Sequence, residues 1–450
     1  MRAWVPLLAV ALACPVAAAE DDVRALTLRE VLDLGLAYNL GLKSARVDAL
    51  IARLDVDAAG AAWDPTLTSE VGGGESLSPS RSQLAGADVV DVDNFNFVLG
   101  LTKPLRLGPS LGLTWRADRT FTNSSFSTIN PAYDTALELS LTVPLLRGRG
   151  RHVQEAALRA SRAGAESARW ALVEEATALV EEIHAAFWNL RYLEGRVAVL
   201  EKSLQVAVDI EAAERRKLEP DIGRSTRLDV TKTEAETKRR EAALIQGRRE
   251  AADAADDLRR LVLPFTGEGD DRVVLKAVGA PDPEFSVPAL GPLVEAALAR
   301  RPDLARTDAD LRRLEEEVVQ AEDALRMQLD LVSGVSWRGV GADVEDSAGD
   351  TLAGDTPSAS AALNLTWTFG RRAARAALRR AELQVERARI DRREQVNGIV
   401  VEVRKAFRGV EAARLEIEAT DGEGRAAAEA LEGERQRLAL PRTGVKQMKC

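Results

Sequence analysis

The strongest constraint on the fold of this chain is that one long sequence pattern occurs twice. Residues 28–72 recur as residues 290–334 at a constant offset. The identical positions are Leu28, Leu36, Ala37, Leu42, Asp48, Val56, Ala59, Ala62, Leu67 and Gly72, which match Leu290, Leu298, Ala299, Leu304, Asp310, Val318, Ala321, Ala324, Leu329 and Gly334. Each copy runs from an amphipathic helix into alternating strands and back into a very long helix. The sequence therefore predicts two structural repeats of one architecture.

The N-terminus indicates export. Arg2 precedes an apolar run over residues 3–16, and the small residues 17–19 lead into acidic residues 20–22. This order is typical of a secretory signal peptide that is cleaved after Ala19.

Cys14 leaves lipidation open as an alternative to cleavage at that site, although Ala11 and Leu12 suit a lipoprotein signal poorly. After cleavage the remaining cysteine is Cys450. An intramolecular disulfide framework is then not expected, even in an oxidising compartment.

Composition narrows the class of protein further. Outside the signal peptide, no stretch reaches the roughly 18 consecutive apolar residues of a membrane-spanning helix, so any crossing of a membrane must use strands. Aromatic residues are 4% and charged residues 29% of the chain, which favours long, thin elements over one large core. The net charge of −10 argues against a nucleic-acid partner.

Two segments have the spacing of very long helices. Residues 153–218 contain no proline, and at 1.5 Å per residue such a helix reaches roughly 100 Å. Apolar residues recur in it mostly in steps of three and four: Ala176, Val180, Ile183, Phe187, Leu190, Leu193, Val197, Leu200, Leu204 and Val208. A second long helix is predicted from Arg371 to Leu438. This spacing is typical of a coiled-coil seam, and by itself it fits a soluble antiparallel coiled coil equally well.

Alternating segments predict strands in both copies. They are residues 66–71, 94–102, 110–116 and 135–143 in the first copy and 330–337 and 359–369 in the second. Polar loops are expected at 72–93, 120–130 and 339–357. The alternation fits the lipid-facing and lumen-facing positions of a barrel wall, and it also fits a half-buried soluble sheet. Because so few strands leave unpaired edges in lipid, several chains are expected to share one barrel.

Four sequence segments resemble the TolC family of outer-membrane efflux and secretion channels. "LTLREVLDLGLAYNLGLKSAR" and "LVEAALARRPDLARTDADL" are similar to the two repeat openings of that family, and "LSLTVPLLRGRGR" resembles its strand-to-helix junction. "PDIGRSTRLDV" looks like the loop that joins two long helices at the periplasmic tip. The resemblance covers nearly the whole mature chain.

The resemblance implies a mainly α fold with a β-barrel contribution. Long antiparallel coiled-coil helices would form a periplasmic α-barrel, and each protomer would add at least four strands to a shared trimeric outer-membrane barrel of twelve. An additional hairpin is expected in the first copy. The resulting domains are a signal peptide at 1–19, a first repeat at 20–263, an equatorial linker at 264–289 and a second repeat at 290–450. Within the first repeat, barrel strands are expected at 66–143 and a long hairpin at 150–263 with its tip near 220–226.

The resemblance also implies a function without chemistry. The chain would be the passive outer-membrane exit duct of a tripartite efflux pump or a type I secretion system, extending from the outer membrane into the periplasm. Its partners would be two further copies, outer-membrane lipid, a periplasmic adaptor and, through that adaptor, an inner-membrane pump or ABC transporter. The alternative from another class is a periplasmic coiled-coil scaffold without a pore.

Two features near the tip match the family by position. Ile222, Gly223, Arg224 and Ser225 match tip positions that adaptors contact, although a structural turn explains a Pro/Gly-containing loop as well. Asp229 matches an acidic position at which the family closes its pore. An acidic residue in the first turn of a helix also has a simpler role, because it complements the helix dipole.

The C-terminal sequence departs from the family pattern. "ERQRLALPRTGVKQMKC" begins like the second tip and then ends. Ala439 stands where the family has its tip glycine, and Pro441 stands where well-known members have a gating arginine. A return helix is therefore expected to be missing, through truncation or frameshift or, as the alternative, because the chain is a genuine short variant.

An enzymatic function is not expected. His152 and His184 lie nearly nine helical turns apart, and the sequence has no phosphate loop, catalytic triad or metal-ligand spacing. No cofactor or metal is predicted.

Overall fold

The computed structural model describes residues 22–80, 85–218, 226–263, 273–281 and 286–439. The predicted signal peptide, the tip residues 222–225 and half of the predicted linker lie outside these residues. The chain divides into two compact units, which are described separately. The first comprises the described parts of residues 1–48 and 171–285, and the second comprises residues 49–170 and 286–450 as far as they are described.

The described elements are helices and strands in two successive series. They are β1 (Asp22–Leu26), α1 (Leu28–Tyr38), α2 (Leu40–Gly60), β2 (Thr66–Pro79), β3 (Val89–Pro104), β4 (Ser110–Thr122), β5 (Ala132–Pro144), α3 (Arg151–Gln154), α4 (Ala156–Lys217), α5 (Arg227–Val262), β6 (Val273–Ala277), α6 (Leu290–Arg300), α7 (Pro302–Ala324), β7 (Gln328–Gly341), α8 (Val344–Ala353), β8 (Pro357–Thr366) and α9 (Arg372–Ala439). A 3-10 turn, Ala61–Trp63, precedes β2.

The first unit is built around the antiparallel pair of α4 and α5. Three ion pairs join Glu182 to Arg260, Arg196 to Glu250 and Glu201 to Arg248, so partners later in α4 meet partners earlier in α5. The core beneath them contains Ile183, Phe187 and Leu190 of α4, Leu258 and Val262 of α5, and Val31 of α1. The steps of four and three between the α4 residues place them on one helix face. The predicted seam is confirmed for this stretch of α4.

A short parallel strand pair adds to this unit. β6 pairs with β1 along its whole length, from Asp22 opposite Val273 to Leu26 opposite Ala277. Leu275 of β6 is buried in the same core as Phe187. The predicted linker thus contains a strand. Its partner β1 was not predicted, because five residues are too few for a distinctive alternation.

The second unit pairs α7 with α9 and carries one large sheet. Salt bridges join Arg301 to Glu402 and Glu315 to Arg389, which makes the two helices antiparallel. The sheet has six strands in the order β2-β3-β4-β5-β7-β8, all of them antiparallel to their neighbours. The resemblance implied four strands per chain, and the expected additional hairpin in the first copy is present.

The long helix predicted over residues 153–218 is present as α4, with the short helix α3 before it and Glu155 between the two. Two expectations about loops were wrong. The loop predicted at 72–93 is largely strand, because β2 continues to Pro79 and β3 begins at Val89. The loop predicted at 339–357 contains helix α8.

The long helices have polar surfaces. Within the described residues, none of the helices combines the length and the apolar content needed to span a bilayer.

Candidate channel wall and helical tip

The register of the sheet places all odd-numbered strand residues on one face. In each of the five ladders an odd residue pairs with an odd residue, as in Leu67 with Leu101 and Leu101 with Leu113. The ladders run without a skipped residue, so the alternation of side chains continues unbroken across six strands.

The odd-numbered face is apolar over most of the sheet, but it carries Lys103 near the turn end and Glu75, Asp91, Asp93 and Arg119 near the loop end. It presents Leu67, Val71, Phe95, Phe97, Leu99, Leu101, Leu111, Leu113, Trp115, Leu137, Leu139, Leu141, Val143, Leu329, Leu331, Val335, Trp337, Leu363 and Leu365. Many of these side chains are exposed in the single chain: Leu113 is 41% and Leu139 48% exposed in the middle strands, and Leu67 and Leu363 more than 60% in the outer ones. An exposed apolar surface that spans six strands marks contact with lipid or with another protein.

The even-numbered face is mainly polar, although it also carries Val92, Val98, Val332 and Val340. It presents Thr66, Thr68, Glu70, Asn94, Asn96, Thr102, Thr114, Arg116, Asp118, Thr120, Asp134, Glu138, Ser140, Thr142, Asp330, Ser336, Arg338, Ser358, Ser360 and Asn364. A polar face opposite an apolar one is the arrangement of a barrel wall with water on its inner side.

Aromatic side chains lie together on the odd-numbered face near the middle of β3 and β4. Trp115 and Trp337 both pair across the sheet with Leu137, and Phe97 packs edge-on against Trp115 with ring centroids 6.0 Å apart. These rings add to the apolar area of the odd-numbered face.

The two ends of the sheet differ. At one end β2, β5, β7 and β8 adjoin helices in the chain, and β3 and β4 are joined by the short turn 105–109. At the other end the connections are longer, at 80–88, 123–131 and 342–356. Short turns on one side and longer loops on the other are typical of outer-membrane barrels, in which the short turns lie toward the periplasm.

Helix α8 lies against the apolar face at the loop end. The Thr135 hydroxyl donates to the carbonyl oxygen of Ser347 at 2.7 Å and lies 2.6 Å from the Thr351 hydroxyl, and all three residues are buried. Gly339 and Gly341 of β7 allow the approach, because a Cβ on Gly341 would lie 2.7 Å from the backbone nitrogen of Ser347. The helix therefore ends the exposed apolar band on this side.

Glycines shape the strand-to-helix junction at the other end. Gly148 and Gly150 adopt positive φ angles of 77° and 92°, which favour glycine. The backbone N–H of Gly148 donates to the Asp323 carboxylate at 2.8 Å, and Gln154 donates to the carbonyl oxygen of Gly148 at 2.6 Å. The segment "LRGRGR" thus turns the chain from β5 into α3.

Two arginine–tryptophan stacks flank the same junction. The Arg106 guanidinium lies 5.2 Å from the ring centroid of Trp63, and that of Arg371 lies 4.1 Å from Trp367. Arg371 also donates to the carbonyl oxygen of Leu325. These four residues were not predicted from the sequence. Tryptophans directly before the first strand of the sheet and after the last one are nevertheless typical of a membrane boundary.

At the helical end of the first unit, Asp229 lies in the first turn of α5. The Thr226 hydroxyl donates to its carboxylate at 2.6 Å and the Thr226 backbone N–H does so at 3.2 Å, which completes a capping box. These two hydrogen bonds lower the pKa of Asp229 below its ordinary value. The carboxylate is exposed and ionised at neutral pH. The adjacent tip positions Ile222, Gly223, Arg224 and Ser225 lie outside the described residues.

His152 and His184 do not form a catalytic pair. His152 lies in the second unit, where Arg159 donates to its backbone oxygen, and His184 lies in the first unit. Within the described ranges, no group of three or more His, Cys, Asp or Glu side chains is placed to hold a metal ion.

The close packing of α8 on β7 generates a prediction. In Gly339→Ala the new methyl group would overlap the Ser347 carbonyl oxygen and approach the Thr351 backbone nitrogen, so α8 is expected to detach from the sheet. Cleavage by V8 protease after Glu345 should accelerate by roughly tenfold, as about 1–3 kcal/mol of packing and hydrogen bonding is lost.

Gly349→Ala is the matched control, because no atom lies within 4 Å of a Cβ at that position of the same helix. It should leave cleavage unchanged or slower, since alanine favours the helix. Equal cleavage of the Gly339→Ala variant and the unsubstituted protein would contradict this account of α8.

Comparison with known proteins agrees with this geometry. The family model described as outer membrane efflux protein matches residues 293–440. By sequence, the chain matches no curated protein.

Solved structures match over most of the chain. The Campylobacter jejuni outer-membrane channel CmeC aligns with a TM-score of 0.68 at 14% identity, covering 93% of this chain and 78% of CmeC. CusC aligns at 0.65 and 14% identity, covering 91% and 81%. The outer-membrane protein VceC from Vibrio cholerae aligns at 0.63 and 16% identity, covering 92% and 85%. The resemblance inferred from sequence is confirmed: this chain has the fold of the TolC-family outer-membrane channels, and its residues 293–440 match the outer membrane efflux protein family.

Proposed function

We propose that this chain forms the outer-membrane exit duct of a tripartite efflux pump or a type I secretion system. The observation that carries the proposal is the six-stranded sheet, whose exposed, largely apolar face lies opposite a mainly polar face. The apolar face suits lipid and the polar face suits a water-filled lumen.

The sheet also distinguishes the duct from a soluble scaffold. In a soluble protein the apolar face would be covered by helices. Among the described elements, α8 packs on this face beside β5 and β7, at the loop end. Residues such as Leu113 and Leu139 stay exposed. A soluble scaffold has no reason to leave such a surface open, whereas lipid covers it at no cost.

A duct of this kind acts without chemistry of its own. Three copies would share one barrel, a periplasmic adaptor would bind the tip at residues 222–225, and an inner-membrane pump or ABC transporter would supply energy through that adaptor. The family match over residues 293–440 supports this assignment of partners. Asp229 next to the tip supplies an ionised, exposed carboxylate of the kind that closes a pore by pairing with donors of a neighbouring helix.

The experiment that tests the duct is extraction of the protein from isolated outer membranes. We expect it to stay in the pellet in sodium carbonate at high pH, to require detergent, and to have the native mass of three copies in detergent. Release by carbonate as a monomer would contradict the duct and favour the scaffold.

The two faces of the sheet generate a prediction with a matched control in one strand. Leu113 and Thr114 are neighbours in β4, on the apolar and the polar face respectively. Leu113→Lys places a charge in hydrocarbon, which costs roughly 2–4 kcal/mol near the bilayer midplane, and should sharply lower the amount of folded, trypsin-resistant protein in the outer membrane. Thr114→Lys points into water beside Glu138 and should change that amount little. Equal loss in both variants would refute the assignment of the two faces.

The proposed role of Asp229 in closing the pore can be tested separately from its role in the helix cap. Both Asp229→Ala and Thr226→Ala break the capping box, and the loss of the Thr226 side chain costs about 1 kcal/mol. If the carboxylate closes the pore, Asp229→Ala should raise single-channel conductance in planar bilayers several-fold, whereas Thr226→Ala should not. Similar conductance in both variants would show that Asp229 acts only in the helix cap.

The lowered pKa of Asp229 gives this closure a defined pH dependence. Its folded-state pKa lies below the ordinary value, so the ionised form and its contribution persist at neutral pH and are lost only as the pH falls through that lowered pKa. The channel should therefore stay closed in mildly acidic buffer and open at strongly acidic pH. The Asp229→Ala variant should lack this step.

A further inference from the structure

Both edges of the six-stranded sheet are unpaired in the single chain. β2 and β8 each have one strand neighbour, and no other described strand lies beside them. Every residue of β8 is exposed, and so is every residue of β2 except Gly72. A free edge is a row of backbone N–H and C=O groups without partners, which is not tolerated in hydrocarbon.

The edge strands lack the features that block strand pairing. β8 contains no charged residue, and its proline is the first residue, at the loop end. β2 is 14 residues long, carries glutamates and no lysine, and also has its proline at the loop end. Long edges without lysine, bulge or internal proline are templates for pairing with another strand. Both edges are therefore suited to receive a partner.

The two edges also fit each other. Because the sheet has an even number of antiparallel strands, β8 runs opposite to β2. When copies stand side by side, β8 of one copy is antiparallel to β2 of the next. Leu363 and Leu365 of β8 lie on the same apolar face as Leu67 and Val71 of β2, so the pairing continues both faces of the sheet.

All six strands carry the membrane pattern, including the hairpin β3–β4 in the middle of the first copy. The apolar face that contains Leu137 and Leu139 of β5 continues through β3 and β4, where it includes Leu99, Leu101, Leu113 and Trp115. The β3–β4 ladder runs from Pro104 opposite Ser110 to Val92 opposite Thr122, the full length of the sheet. The hairpin is therefore part of the wall rather than a flap outside it.

We propose that β8 of each copy pairs with β2 of the next and that three copies close one barrel of eighteen strands, since three copies of six strands give eighteen. This proposal rests on the proposed trimeric duct and goes beyond it in the composition of the wall. Barrel diameter grows roughly in proportion to strand number, so this barrel is about 1.5 times as wide as one of twelve strands. Barrels of 16–18 strands leave an aqueous channel.

The partner at each edge is tested by disulfide cross-linking in outer membranes, in a Cys450→Ser background. Thr68→Cys in β2 is combined in turn with Ser358→Cys, Ser360→Cys, Ala362→Cys or Asn364→Cys in β8. All five positions lie on the polar face, and the series samples the unknown register. We expect oxidation of one or two of these combinations to give a ladder of disulfide-linked dimers and trimers that ends at the trimer.

The controls use both faces and a known neighbour. Thr68→Cys with Ala361→Cys or Leu363→Cys should not cross-link, because these β8 residues face the opposite side. Thr114→Cys with Glu138→Cys, which are direct neighbours in the sheet, should lose both thiols within one chain and show that the sheet is folded and that oxidation works.

Each remaining outcome has a distinct meaning. A detergent-extracted trimer whose Thr114–Glu138 pair oxidises while no β2–β8 combination does would overturn the edge pairing and leave the duct intact. Thiol loss within one chain, or a ladder that ends at a number other than three, would overturn the eighteen-stranded barrel. Release of the protein by carbonate would overturn the duct and the barrel together.

Discussion

The need to pair every backbone N–H and C=O group in hydrocarbon controls this structure. A side chain can be exchanged to suit lipid, but the backbone cannot, so a membrane-crossing sheet must have continuous ladders. The five ladders meet this demand without an interruption, and as a consequence odd residues stay on one face from β2 to β8. A single skipped residue in β4 would turn Leu113 and Trp115 to the polar side.

The helices follow a different rule because their backbone groups pair within each helix. Their ion pairs, such as Arg248 with Glu201, are exposed and contribute little free energy. Their stability comes mainly from the apolar seam, in which Phe187 and Ile183 are fully buried. At Gly247 the absence of a side chain lets α5 approach α4, since a Cβ there would lie 2.7 Å from the Leu200 side chain. Close approach and burial together replace the large globular core that the composition did not allow.

The sequence predicted those parts of the fold that depend on periodicity. The alternation over 135–143 located β5, and steps of three and four located the seam of α4, because each period follows from one backbone geometry. Segments whose conformation depends on a single distant contact were not predicted from the sequence. Gly72–Gly74 look like a loop, yet they continue β2 because β3 offers ladder partners from Asn96 to Asn94. Helix α8 depends on buried hydrogen bonds to Thr135, which lies more than 200 residues away in the sequence. No local sequence pattern predicts such a contact. In the candidate site, the sequence predicted Asp229 and its place at the start of a helix. It did not predict that Thr226 donates two hydrogen bonds to the Asp229 carboxylate.

A duct also explains how far sequences with this fold can diverge. An enzyme must keep particular side chains in place, whereas a passive wall needs only apolar residues on one face, polar residues on the other and small residues at the turns. Many sequences satisfy such a pattern, so 14% identity to CmeC is compatible with a match over 93% of the chain. The same freedom allows strands to be added in pairs, because a hairpin such as β3–β4 preserves both the antiparallel order and the two faces. Strand number can therefore change within this architecture while the antiparallel order and the two faces are kept. Whether the wall closes depends on the pairing of the strands at the edges of the sheet.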